Sequence, residues 1–365
     1  MEIKIERATL LQGLYLAQGI SERRTTMPIL ANVLLRTDGK DRLLLAATDT
    51  NVTVVSELKC KTQAEGGITI SAKHLHDIVK SLPGDDLVLR RTDNNYAEIR
   101  AGKVEYKVVG MADRDFPKLP SHREVSFNKV AAATVRDMIA KTFFSISADE
   151  TRYHLSGVLF ESDGKLARMV STDGHRLCKV ERPLDGPKLQ KSIIIPRKGL
   201  TEARKLLENV DQVEIGLHGN HLFLRVREVA ISIKLVDAQF PPYDQVIPKE
   251  NEKVAQVGRL ALLEALRRVS LMSSDKNFGV RFSLQKGALE IRSDNPDLGQ
   301  AHEEVVVSYE GAALQIGFNA KYFIELLSEM GGDEVCLELN GELDPALVRP
   351  VDNRDYVGVV MPMRI

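Results

Sequence analysis

The sequence predicts an α+β protein made of three tandem repeats of one domain, each with two helices packed on antiparallel sheets, and three observations carry that reading. Short motifs recur one domain length apart. Asn32-Val33-Leu34-Leu35, Gly157-Val158-Leu159-Phe160 and Gly279-Val280-Arg281-Phe282 each lead across a turn into Thr48-Asp49, Thr172-Asp173 and Ser293-Asp294. A second landmark keeps the same period: Val33, Val158 and Val280 are 125 and 122 residues apart, and Lys73, Lys198 and Lys321 are 125 and 123 apart. That spacing suits a whole domain rather than a solenoid unit. Finally, each copy shows the same order of patterns: helix, strands, helix, strands.

The first helices of the copies are expected at Arg7 to Gly19, Asn128 to Lys141 and Gly258 to Met272. The second helices are expected at Ser71 to Ser81, Arg197 to Glu208 and Ala320 to Met330. In Arg197 to Glu208, Leu200, Ala203, Leu206 and Leu207 share one arc and the cations share the other. Alternating or β-branched stretches such as 43–45, 98–100, 213–217, 230–235 and 335–339 read as half-buried strands. Asp38-Gly39, Asp163-Gly164, Lys286-Gly287 and Gly219-Asn220 suit the hairpins between them. Proline-bearing stretches at 116–120 and 240–250 close the first two copies, so the domains are expected at 1–124, 125–250 and 251–365.

With no Trp in 365 residues, aliphatic side chains must fill the cores. Cys60, Cys178 and Cys336 are widely spaced and without Cys-x-x-Cys geometry, which suits reduced thiols rather than disulfides or zinc. No apolar run is long enough for a membrane span and the amino terminus has no signal pattern, so a cytoplasmic protein with no membrane contact is expected.

A net charge of −1 hides segregation: the six helix windows hold 14 Lys and Arg against 7 Asp and Glu, while the rest of the chain is acidic. Surface helices carry cations anyway, but a consistently basic helical layer suits a polyanion held by its backbone, through counterion release and without base readout. An enzyme reading competes. Asp173-Gly174-His175 could be drawn as the acid–base pair of a hydrolase, and His74 with His76 as metal ligands. Residues two apart diverge by about 200° on a helix, no third ligand lies near, and nucleotide-binding and hydrolase motifs are missing. No catalytic residue, metal or cofactor is therefore expected. A non-catalytic scaffold that never touches nucleic acid is the other alternative.

The stretches Arg152-Tyr153-His154-Leu155-Ser156-Gly157-Val158-Leu159-Phe160-Glu161, Ser171-Thr172-Asp173-Gly174-His175-Arg176-Leu177, Ile195-Pro196-Arg197-Lys198-Gly199 and Val359-Val360-Met361-Pro362-Met363-Arg364-Ile365, in this order, resemble the bacterial sliding clamps. Those proteins are the beta subunits of the replicative DNA polymerase III. The resemblance spans the chain. It implies the DNA clamp fold: a head-to-tail homodimer closing six domains into a ring, with helices inside. It also implies a processivity factor that encircles duplex DNA without sequence preference. Its partners would be the replicative polymerase, the clamp loader, and other polymerases and repair proteins that carry short peptide motifs.

For the peptide pocket the resemblance implies Leu155, Thr172, Gly174, His175, Arg176, Leu177, Pro241, Pro242, Val246, Val359, Val360, Met361, Pro362, Met363 and Arg364. For the dimer interface it implies Tyr106 of one chain against Leu271 and Met272 of the other, with Arg91, Arg100 and Lys103 facing Asp297, Glu303 and Glu304. Gln245, Pro345 and the Leu298-Gly299-Gln300 interruption of an acidic run depart from the family pattern. For DNA contact, Arg24, Tyr153, Arg197 and Lys198 follow family positions. Lys73, Arg136, Lys141, Arg152, Arg204, Lys205, Arg267 and Arg268 join them, chiefly because of helix phase.

Overall fold

Each repeat is a strand–helix–three-strand motif used twice, which accounts for the two expected helices and the strands between them. In a computed structural model, residues 1–21, 26–121, 124–149, 151–274 and 278–364 are described. The helices are α1 (Arg7–Ile20), α2 (Ala72–Ser81), α3 (Ala132–Phe143), α4 (Arg197–Leu206), α5 (Arg259–Val269) and α6 (Ala320–Glu329). Two have side-chain caps that explain their starts: Ser71 Oγ accepts from His74 N, and Asn319 Oδ1 accepts from Lys321 N at 2.9 Å.

One expected helix start is corrected. Asn128–Ala131 is a strand, paired with Gln212–His218, and α3 begins only at Ala132. It corresponds to the strands Glu2–Glu6 and Lys253–Gly258 that precede α1 and α5. Its pairing partners lie 81 to 87 residues on, so no local pattern reveals it. The third repeat also shifts by one residue. Asp49 and Asp173 accept from the backbone N two residues on, at 2.8 and 2.9 Å, and in the third repeat Asn295 does this, toward Asp297 N at 2.9 Å. Asp294 instead pairs with Arg292. The counterpart of Asp173 is thus Asn295.

Pairing is antiparallel throughout. The first strand of each motif pairs with the second strand of its twin, as in Glu2–Glu6 with Asp86–Arg91 and Gly67–Ser71 with Asn32–Asp38. Tight turns at Gly219-Asn220 and Lys286-Gly287 match the expected hairpins, with Gly219 and Gly287 at φ of 59° and 75°.

The described chain forms two compact units. One comprises residues 1–133, 185–187 and 198–235 and holds a 13-stranded sheet; the other comprises 134–184, 188–197 and 236–365 and holds a 12-stranded sheet. The second repeat is shared between them, because its sheets continue into those of its neighbours. Val52–Lys59 of the first repeat pairs with Val229–Lys234 of the second, and Arg176–Pro183 of the second pairs with Tyr356–Val360 of the third. Within the second repeat α4 packs closely on the strand Val229–Lys234, where a Cβ on Gly199 would clash with Ile233 Cγ2. Aliphatic side chains fill the cores, as expected without Trp. The third repeat adds a ring cluster of Phe282, Phe318 and Phe323 with centroids 5.0 to 5.3 Å apart.

Candidate functional site

The Thr172–Arg176 turn, part of the expected peptide site, is built by its own side chains. The Asp173 carboxylate accepts from His175 N and Arg176 N, Gly174 takes a φ of +89°, and the Thr172 hydroxyl donates to Arg176 O at 2.6 Å. Asp173 also binds Arg176 Nε at 3.0 Å, so its charge is spent on its own turn. That geometry leaves no free acid–base pair with His175, whose ring stacks on Tyr322.

Below the turn, Leu155, Leu177 and Val359 share a buried cluster with Leu159, Val170, Ile194, Phe240 and Tyr243. Val360 is buried, whereas Val246 and Met361 are exposed and Pro241, Pro362 and Met363 are partly so. The tail is tied by two backbone bonds, Met361 N to His175 O and Met363 N to Gly317 O, both 2.9 Å. Pro242 and Arg364 are exposed at the rim. A cavity of about 510 Å³ lined by Tyr153, His154 and residues 238–242 opens beside Pro241 and Pro242. Leu155, Leu177 and Val359 thus share one cluster and the tail meets the turn at His175, while Pro241 and Pro242 line a cavity with Tyr153 and His154, all within one compact unit.

Sequence reasoning missed the support beneath Pro241 and Pro242. The Tyr243 hydroxyl donates to Glu161 at 2.9 Å and lies 3.0 Å from Arg168, and burial, then the Glu161 bond, pushes its pKa up to about 12. A Phe-Pro-Pro-Tyr run with a distant Glu and Arg was the only signal available.

Arg176 clamps the turn to its surroundings. Its side chain is 9% exposed, binds Asp173, Glu325 of α6 and Phe144 O, and lies over the Tyr322 ring at 4.6 Å. Burial works against its charge, and the Glu325 and Asp173 carboxylates more than offset it. Arg176→Ala strands two carboxylates, so a loss of about 3 kcal/mol is expected. A thermal midpoint equal to that of the parent protein would contradict this role.

The expected DNA-contacting cations divide by environment. Lys73, Arg152, Arg204, Arg267 and Arg268 are exposed, and Tyr153 is 60% exposed beside Arg152. Lys141 is held by Asp137 and lies over the Tyr356 ring, Lys198 pairs with Asp49, and Lys205 binds both Glu202 oxygens at 2.9 and 3.0 Å. Arg267 binds Glu264, and Arg268 binds Glu303. Arg136 is partly buried. Arg197 donates to Ile146 O and lies over Phe143, and burial, then the Arg176 charge, hold its pKa below the usual arginine value. Arg24 lies outside the described residues.

Leu271 is 73% exposed just after α5, Met272 is partly exposed beside it, and Tyr106 is 36% exposed on the strand Val104–Met111. The ionic partners expected around them are largely committed inside the chain. Arg91 binds Gly67 O and Asn95, Arg100 binds Glu98 and Glu105, and Glu303 binds Arg268. Among the described residues no group of three His, Cys, Asp or Glu side chains could hold a metal, and no helix is long and apolar enough to cross a membrane.

Three like α+β modules threaded through shared antiparallel sheets define the architectural class of the clamp proteins. Residues 1–120, 129–242 and 244–364 match the N-terminal, central and C-terminal domain models of the DNA polymerase III beta subunit. The chain is 37% identical over 369 residues to the beta sliding clamp of Pseudomonas putida and 32% identical over 371 residues to that of Escherichia coli, covering all of each. Among solved structures, the Pseudomonas aeruginosa DNA polymerase sliding clamp superposes with a TM-score of 0.93 at 36% identity, and Caulobacter crescentus pol III beta with 0.94 at 33%, again over full lengths. The chain belongs to the DNA polymerase III beta subunit family, the bacterial sliding clamps.

Proposed function

We propose that this chain is the processivity clamp of a replicative DNA polymerase, working in the cytoplasm as a head-to-tail homodimer that closes six domains into a ring around duplex DNA. The domains are taken as 1–124, 125–250 and 251–365. The observation that carries the reading is the pair of sheet joints inside the chain, first repeat to second and second to third. A third joint of the same kind needs the third repeat of one copy and the first repeat of another, and two copies then close a ring.

In this reading the exposed cations Lys73, Arg152, Arg204, Arg267 and Arg268, with Tyr153 and Arg197, attract the phosphate backbone without reading bases. Lys141, Lys198 and Lys205 contribute less, because each is partly buried as well as paired with a carboxylate, whereas Arg152, Arg267 and Arg268 stay exposed although they pair with Asp149, Glu264 and Glu303. The socket around Leu155, Leu177, Val360 and Met361 receives short apolar peptides from the polymerase, the loader and repair proteins, and its methionines adapt to different sequences. The protein performs no chemistry of its own. With a loader and polymerase, addition of the protein should lengthen the DNA made in one binding event; unchanged product length would overturn the proposal.

A further inference from the structure

We infer a second peptide site at the first sheet joint, where a cavity between residues 48–53, residues 117–121 and the strand His221–Val226 takes an extended segment carrying apolar and acidic side chains. That the ligand is a peptide rests on the socket proposed above, whose construction this site repeats. The cavity measures about 420 Å³, within the range of ligand sites, and Thr48, Thr53, Pro117, Lys118, His221 and Phe223 line it. All of them lie in one compact unit, the one that does not hold the socket.

The two turns match bond for bond. Asp49 Oδ1 accepts from Asn51 N and Val52 N, as Asp173 Oδ1 does from His175 N and Arg176 N. Thr50 N donates to Thr48 Oγ1 at 3.0 Å, and Gly174 N to Thr172 Oγ1 at 3.1 Å. Phe116 sits in a buried cluster with Leu119 packed against it, as Phe240 and Tyr243 sit in the cluster of the socket. Across the joint, Lys234 N donates to Asn51 O as Met361 N donates to His175 O. Lys234 is therefore the counterpart of Met361, and Ser232, two residues earlier, that of Val359. Thr53, which faces Thr48, is the counterpart of Leu177, which faces Thr172. The backbone is repeated and the chemistry is changed: three apolar side chains of the socket become two hydroxyls and a cation.

Ser232 calls for a ligand. It is 6% exposed, and among the described residues its hydroxyl has no hydrogen-bond partner. It faces Phe223 on one neighbouring strand and Thr53 on the other, both of which line the cavity, and facing residues project to the same side of a sheet. A buried hydroxyl left alone costs stability, and an N–H or C=O of a peptide in the cavity completes it. Thr50 adds backbone strain at the same place, holding φ at 76° where its counterpart is Gly174.

Charge sets the class of peptide. Lys118, His218 and Lys234 are exposed, and His221 faces Lys234 across the strand pair. Burial, then the charges of Lys234 and His218, hold His221 below the usual histidine range, so the field at the mouth is positive. Asp49 is held by its own turn and by Lys198, and Glu124, 82% exposed, stands 3.8 Å from His218 Nε2. An acidic segment gains from that field.

Removing residues 361–365 takes away the tail of the socket and leaves this site whole, so the truncated protein separates the two. In fluorescence anisotropy, a labelled hexapeptide of alternating Glu and Leu should bind the truncated protein more tightly than the corresponding Gln and Leu hexapeptide. Lys118→Glu with His221→Glu should weaken that binding roughly tenfold, and S232A about fivefold. S232A should also leave the thermal midpoint unchanged or higher, because the hydroxyl it removes is unpaired in the free protein. No binding of either peptide, equal binding of both, or binding indifferent to these substitutions overturns the site. A midpoint lowered by S232A makes the hydroxyl structural and overturns its role. Capture of a polymerase peptide by the full chain reports the socket alone, and Lys118→Glu with His221→Glu should leave it unchanged; its loss in that variant overturns the separateness of the two sites. Failure of the parent chain to capture that peptide overturns the socket and not this site.

Discussion

L271D combined with Tyr106→Ala is expected to convert the protein to monomers at micromolar concentration. Leu271 is among the most exposed apolar side chains on the chain, and Tyr106 lies on a strand that is mostly exposed. Nothing in the isolated chain needs that exposure, and the proposed joint removes it from water. Burying these two groups is worth about 2 to 3 kcal/mol per joint, and a ring has two joints, so roughly 5 kcal/mol separates parent from variant. That is a weakening on the order of a thousandfold or more in dissociation constant. Rim ion pairs contribute at most about 1 kcal/mol each and cannot make up the difference. Sedimentation velocity reads the outcome directly. A variant that still sediments as a dimer would move the interface away from these residues.

Removing residues 361–365 should abolish capture of polymerase peptides and leave dimerisation unchanged. The last sheet strand ends at Val360, whose side chain is buried together with that of Val359, whereas Met361 is exposed and Pro362 and Met363 are only partly covered. Two backbone bonds hold this segment, to His175 O and Gly317 O, so its loss leaves the core intact. Met361 and Met363 would each bury against a bound peptide. At about 2 kcal/mol for each side chain, binding should fall by roughly a thousandfold. Fluorescence anisotropy with a labelled polymerase peptide measures the loss. Unfolding or dissociation on truncation would instead make the tail part of the core.

The repeats and most elements were legible because they are local. Among the helices, α4 announced itself through its arc of Leu200, Ala203 and Leu206 opposite Arg204 and Lys205. The strand Asn128–Ala131 was not legible, since four residues carry little pattern and its identity comes from pairing with Gln212–His218. The one-residue shift that makes Asn295 the counterpart of Asp173 was hidden for a related reason: Asp and Asn satisfy the same turn, and only pairing distinguishes Asp294 from its neighbour. Socket positions came from motif resemblance, but the clamp role of Arg176 did not, because Glu325 and Phe144 are distant in sequence. Charge segregation was visible in composition. Which cations keep their charge free for a ligand was not, because Lys198 with Asp49 and Arg268 with Glu303 meet only in three dimensions.

The central claim is that the protein holds DNA by enclosing it, and retention on circular and linear DNA at high salt tests this most directly. At 1 M salt the screening length falls to about 3 Å, which removes the attraction between the cationic helices and phosphate. Protein placed on a nicked circle by a clamp loader should stay bound through such a wash and leave once the circle is cut. Equal loss from the intact circle and the cut DNA would contradict enclosure.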